Sequence, residues 1–254
     1  MLISAVNISE GRAGAVLDHV AAAAGTALLD LHRDEHHRRS VLTVVGADAV
    51  RAVARAAVAT IDLRRHTGVH PRLGAVDVVP FVPYGSSTMA DAVHARDGFV
   101  AWAADELALP ALVYGEEGPT LPEVRRRARL LLLPHPTAGA VAVAARGPLV
   151  AFNVWLAAAD LAGARRVAGA VRQPGLRALG LPVGDRVQVS MNLTDPRRLG
   201  PEVAYDAVAA LAPVAGAELV GLVPDAVLAA VPPERWEELD LDATKSVEAR
   251  LRSC

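Results

Sequence analysis

The order of the first six segments restricts the fold of this chain more than any single motif does. Residues 1–6 have the apolar character of a strand, and residues 7–11 (NISEG) read as a turn into a helix over about residues 12–24, closed by Gly25. Residues 27–31 and 41–45 predict two strands around a polar bend. Residues 47–63 carry apolar side chains at helical spacing with Asp48 and Arg51 outward, and residues 76–82 predict a buried strand.

Strand, helix, strand, strand, helix, strand is the split βαβ, ferredoxin-like order, which places helices against a sheet. Helices over about 88–107 and 121–130, with a strand at 111–114 between them, extend this half. The second half repeats the order loosely: strand 150–155, helix 158–171, strands 176–182 and 187–193, helix 201–211 and strand 218–223. No repeat of fixed period is visible, so the likeness is one of architecture. The expected fold is α/β (α+β): two ferredoxin-like subdomains, each a mixed sheet with helices on one face. The boundary is expected after Ala157, giving 1–157 and 158–254, with a ligand cleft between the two.

Composition narrows the function classes. With 52% hydrophobic and 21% charged residues, the chain is globular rather than disordered. Its formal net charge is −2 and no long basic run occurs, which argues against nucleic acid or an anionic membrane as partner. The one cysteine, Cys254, is the last residue, so neither an intrachain disulfide nor a cysteine zinc cluster is expected. The first residues lack a basic stretch followed by a long apolar one, and no uninterrupted apolar run is long enough to span a bilayer. A cytoplasmic location is the expectation.

Four segments could carry chemistry. In HTGVHPRLG (66–74), two glycines and Pro71 shape a loop ahead of a buried strand, and Pro71 restricts the backbone of His70. Imidazole takes and returns protons near neutral pH; Arg72 suits a carboxylate, and Asp77 suits a ring or cation. A polar loop with two surface histidines fits these residues equally well, and the Gly and Pro argue against zinc on a shared helical face. The second segment, HRDEHHRRS (32–40), puts histidines, acids and arginines between two strands. It reads as a solvated hairpin tip, as the anion-facing edge of a site, or, less readily because of its arginines, as a metal site. In the third, Arg146 precedes a turn and Asn153 ends an apolar strand; they could bracket a flat polar ring or belong to an ordinary core strand. The fourth, Asn7 to Arg12, is either helix capping or a carboxylate and amides aimed into a site. Neither a Gly-rich phosphate loop nor a G-x-S-x-G elbow is present.

Together and in this order, these segments resemble the glutamate formimidoyltransferase family, including the N-terminal part of formimidoyltransferase–cyclodeaminase. The resemblance covers about residues 3–225. Its sharpest stretch is residues 65–83 (RHTGVHPRLGAVDVVPFVP), against the family pattern R-H-x-G-x-H-P-R-x-G-x-x-D-x-x-P-F-x-P. Asn7 with Ser9, Glu10 and Gly11 matches N-F-S-E-G, and His32, Asp34, His37, Arg39 and Ser40 match H-x-D-x-x-H-N-R-S. Tyr114-Gly115-Glu116, Arg146 with Phe152-Asn153, residues 189–193 (VSMNL) and residues 219–224 (LVGLVP) continue it.

The resemblance implies formimidoyl transfer between N5 of tetrahydrofolate and the amine of L-glutamate, a step of histidine degradation. It implies tetrahydrofolate as co-substrate, no metal, and a homodimer. The family's catalytic histidine falls on His70 and its folate-contacting stretch on residues 144–153. Asn7, Glu10, His32, Asp34, His37, Arg39, Arg72, Asp77, Arg146, Phe152 and Asn153 are the expected substrate- and folate-binding residues. The chain departs from the pattern with Arg38 for Asn, Val6 for Pro, a shortened stretch between Glu116 and Arg146, and a brief C-terminus. A different amine acceptor, or folate binding without turnover, therefore stands beside the leading expectation.

Overall fold

The computed structural model describes residues 1–67, 72–115, 118–131 and 134–253. Contacts divide the chain into two compact units, Met1–Gly147 and Pro148–Cys254. The division precedes the point expected after Ala157 because the strand at residues 150–156 hydrogen-bonds on both sides to strands of the second unit.

In the first unit, strand β1 (Leu2–Ile8) runs into helix α1 (Gly14–Ala22) and the hairpin of β2 (Leu28–Asp34) and β3 (Arg39–Val45). Helix α2 (Ala47–Thr60) then leads to β4 (Val76–Pro83). These form the expected βαββαβ order, with the strands side by side as β2-β3-β1-β4. Helix α3 (Met89–Leu107), opened by a Thr88–Asp91 capping box, leads to β5 (Ala111–Gly115). Helix α4 (Leu121–Leu131) then leads to β6 (Val141–Ala145), a strand that sequence reading missed. β6 inserts between β4 and β5, parallel to both, making the sheet β2-β3-β1-β4-β6-β5.

That insertion explains a departure from the one-faced arrangement. The crossover β4-α3-β5 steps outward across the sheet, and β5-α4-β6 steps back. Right-handed crossovers in opposite directions put their helices on opposite faces. Accordingly α1, α2 and α3 pack on one face through Leu17, Val53 and Phe99 against Val6, Leu42, Phe81 and Val143. On the other face Val124 of α4 packs with Val78, Tyr114, Ala142 and Ala144.

The second unit comprises β7 (Val150–Leu156), α5 (Leu161–Val171), β8 (Leu176–Val183), β9 (Arg186–Leu193), α6 (Pro201–Ala209) and β10 (Val214–Val220). Asp160 caps α5 by accepting from the Gly163 N–H, and Pro201 opens α6. The sheet order is β10-β7-β9-β8 and every pairing is antiparallel, where a mixed sheet was expected. Both connections that skip a neighbour run between strands that end up non-adjacent, so no parallel pair forms. Helix residues Val167, Ala168 and Val208 pack with Phe152, Val154 and Met191 on one side of this sheet. Among the described residues, no helix is long and apolar enough to cross a membrane.

Candidate active site

The end of β1, the β2–β3 hairpin tip and the start of β4 lie at one end of the first sheet, since Ile8 pairs with both Ser40 and Val76 and Asp34 pairs with Arg39. The strand period then decides which side chains meet. Val6 and Ile8 face the α1–α3 core, so Asn7 faces the opposite side. Register places Asn7, Val41 and His32 in one row of that opposite face, with Asp34 and Arg39 beside them. On β4 the register slips between Asn7 and Ile8, whose partners are Val78 and Val76. The extra residue is Asp77. A bulge of this kind re-aims a side chain, and here it turns the carboxylate to meet Arg39 and Arg125.

Asp77 is fully buried. Its Oδ1 accepts from the Leu73 N–H at 2.6 Å; its Oδ2 accepts from Arg39 Nη1 at 2.6 Å and from Arg125 Nη2 at 2.8 Å. Arg39 Nε donates to Asn7 Oδ1 at 3.0 Å. Burial alone raises the Asp77 pKa, but Arg39, Arg125 and the Leu73 amide more than offset this and hold it below the usual carboxylate range. Arg72 contacts the His66 ring. Burial lowers the Arg72 pKa, Asp77 opposes that, and the positive charges of Arg39 and Arg38 lower it further; the next residue, Leu73, donates its N–H to Asp77.

Glu10 anchors the adjoining turn. Its Oε1 accepts from the N–H groups of Gly11, Arg12 and Ala13 at 2.9, 2.8 and 3.2 Å, and Arg38 Nη2 reaches Oε2 at 3.1 Å. Burial raises its pKa, but Arg38 and the three amides outweigh that and bring it down to about 2. Ser9 Oγ donates to the Gly74 carbonyl at 2.7 Å, Ser40 Oγ to the Glu10 carbonyl at 2.8 Å, and Arg33 Nε to the Gly11 carbonyl at 2.7 Å. Arg38 occupies left-handed backbone at φ 49°, where the family pattern has Asn, a residue that tolerates that region.

At the hairpin tip, Asp34 accepts from the His37 backbone N–H at 2.8 Å and pairs with His37 Nδ1 at 2.5 Å. Burial raises the Asp34 pKa and the His37 hydrogen bonds overcome it, leaving it lowered. Among the described residues, no three His, Cys, Asp or Glu side chains converge as a metal site.

The structure thus brings together Asn7, Glu10, Asp34, His37, Arg39, Arg72 and Asp77, with His32 on the same face. His70 lies in residues 68–71, outside the described residues, as does Cys254. Arg146 does not join the cluster. It follows β6, and its N–H donates to the Phe81 carbonyl. That is the far end of β4 from Val76, about 16 Å along a strand. Phe152 is fully buried in the second unit's core, and Asn153, on the opposite face of its sheet, donates to Glu218 Oε2 at 3.0 Å. Arg125 was missed by sequence reading. The signal for it was an arginine at an inward position of α4, four residues after Leu121 and beside the buried Val124.

Fold and cluster define an α/β protein whose first sheet ends in a buried carboxylate–guanidinium site. Residues 1–130 match the family model for the formiminotransferase domain, N-terminal subdomain. The chain is 33% identical to the glutamate formimidoyltransferase of Streptococcus pyogenes serotype M1, with 95% of each chain covered. It is 31% identical to that of Thermoplasma acidophilum, covering 87% of this chain and 88% of the relative. It is 34% identical to the formimidoyltransferase-cyclodeaminase of Sus scrofa, over 86% of this chain and 49% of that longer protein, so it spans about half of the bifunctional enzyme. The chain belongs to the formiminotransferase family and is a transferase.

Proposed function

We propose that this protein transfers a formimidoyl group between L-glutamate and N5 of tetrahydrofolate, as a step of histidine degradation, with His70 as the acid–base group. The observation that carries the reading is the convergence, at one sheet end, of motif residues from three separate segments: Asn7 and Glu10, Asp34 and Arg39, and Arg72 with Asp77. The names of the relatives supply the group transferred and glutamate as one of the two partners in the transfer.

The chemistry needs one proton carrier. When N5 of tetrahydrofolate attacks the formimidoyl carbon of N-formimidoyl-L-glutamate, N5 gives up its proton. The C–N bond to glutamate then breaks, and the departing amine gains a proton. One imidazole serves both transfers, worth about a hundred- to ten-thousandfold in rate. His70 stands two residues before Arg72 in the sequence. Arg39 and Arg72 supply positive charge for substrate carboxylates. A cytoplasmic homodimer with tetrahydrofolate as co-substrate belongs to the same proposal.

The test is mass spectrometry of the products after mixing the protein with tetrahydrofolate and N-formimidoyl-L-glutamate, with His70→Ala in parallel. The expected result is 5-formimidoyltetrahydrofolate from the wild type, and a rate lower by at least about a hundredfold from the variant. Absence of product from the wild type would overturn the reading.

A further inference from the structure

Helix α4 brings to the site a residue that none of the sequence motifs contains. Leu121 and Val124 fix its apolar side against the sheet, and Arg126 and Arg127 are exposed. Arg125, between these two sides, is turned onto the sheet face and reaches the Asp77 oxygen that Arg39 also binds. One carboxylate oxygen therefore stands between two guanidinium groups.

Arg125 has donors to spare. Its Nη2 is committed to Asp77, while its Nε–H is fully buried and has no acceptor among the described residues. A guanidinium offers five N–H donors in a fixed fork, and a buried donor left without an acceptor is destabilising. The side chain as a whole retains 21% exposure, so its outer edge is not sealed by protein. An arginine serving only to neutralise Asp77 would not need that edge open, because Arg39 and the Leu73 amide already hold the carboxylate.

We propose that Arg125 binds a substrate carboxylate, with Asp77 fixing the guanidinium in place through Nη2 and a remaining donor on its partly exposed outer edge receiving the ligand. This deepens the transfer reading above and rests on it for the identity of the ligand. Both substrates carry carboxylates, N-formimidoyl-L-glutamate on its amino-acid part and tetrahydrofolate on its tail, and the same guanidinium chemistry fits either.

The experiment compares wild type, Arg125→Lys and Arg125→Ala. Steady-state KM and kcat are measured for each substrate, with titration calorimetry for each substrate alone and a melting curve for each protein. Lys retains a charge toward Asp77 but loses the fork, so it remains informative if Ala fails to fold. For Arg125→Lys the expected result is a KM and Kd raised about ten- to a hundredfold for one substrate, with kcat within about threefold of wild type. The substrate affected identifies the carboxylate. A folded Arg125→Lys whose KM and Kd for both substrates stay within about twofold of wild type overturns the inference and leaves the transfer reading intact. A lowered melting temperature with those constants unchanged also overturns it, by showing a latch for α4. If the wild type binds a substrate but produces no transfer, and Arg125→Lys weakens that binding, the transfer reading falls and the inference stands.

Discussion

Glu10 and Arg38 face each other across the turn between β1 and α1, the Arg38 Nη2 lying 3.1 Å from an almost fully buried carboxylate. The same carboxylate holds three successive amides of the turn, so one charge fixes both the start of α1 and the tip of the β2–β3 hairpin. Its pKa falls from 4.5 to about 2 on folding, against the pull of burial. A carboxyl whose folded pKa is depressed stabilises the protein fully above its unfolded pKa, and that contribution is lost as pH falls from 4.5 toward about 2. The difference amounts to at most about 3 kcal/mol, and less where solvent and salt screen the Arg38 pair. Urea unfolding midpoints measured from neutral pH down through this window should show the loss in wild type. Glu10→Gln should already lack that stability at neutral pH and show a shallower acid dependence.

Two motif glycines are set by close backbone approach. A Cβ on Gly11 would sit 2.0 Å from the Asp34 carbonyl oxygen and 2.7 Å from the Arg39 nitrogen. On Gly74 it would sit 2.1 Å from the Ala140 carbonyl oxygen. Neither obstacle is the end of a flexible side chain, so the backbone itself must move. Gly11→Ala and Gly74→Ala should each destabilise by about 3 kcal/mol or more, at the upper end of overpacking costs. Gly147→Ala, where a Cβ meets nothing, should be near neutral. Denaturant midpoints for the three variants check the contrast.

These glycines also show what the sequence could and could not disclose. Periodicity located nearly every helix and strand, because 3.6- and 2-residue patterns are local. β6 escaped because the apolar run before Arg146 sits between a proline-rich segment and a turn, with no polar alternation to mark it. Missing β6 hid the reversal of the crossover, and with it the placement of α4 on the second face. The cluster itself was legible as motifs, but its wiring was not. Asp77 was expected to serve a neighbouring ring or cation, and Asp34 to bind substrate or folate. Asp34 proved to be held by His37, and Asp77 by a bulge that only strand register reveals. The inward position of Arg125 on α4 was legible, but its partner was not, because that partner lies on a strand 48 residues away.

Asp77 is the most enclosed charge of the cluster, with no exposed side-chain area and two guanidiniums on one oxygen. Removing the charge leaves both cations facing a neutral, buried amide. Asp77→Asn should destabilise by about 3–5 kcal/mol, the range for breaking a buried ion pair by deleting one partner. In a double-mutant cycle with Arg39→Gln, the two losses should be far from additive. Equilibrium unfolding of the four proteins measures the coupling. Additive losses would mean that the two side chains do not act as a pair.

Asp34 gives the sharpest separation between architecture and chemistry. Its two oxygens take the His37 amide and the His37 ring, so its effect on the site passes through the hairpin tip. Asp34→Asn keeps an acceptor for the amide but loses the charge beside the ring. Charge-assisted hydrogen bonds contribute about 1.5–3 kcal/mol, so stability should fall by that order, and a prior His37→Gln exchange should remove most of the effect. Turnover should fall by less than in His70→Ala, because His70, the proposed proton carrier, remains. Parallel kcat measurements on Asp34→Asn and His70→Ala check this ordering. An Asp34→Asn loss as deep as that of His70→Ala, with the fold intact, would instead place Asp34 among the groups that touch the reacting atoms.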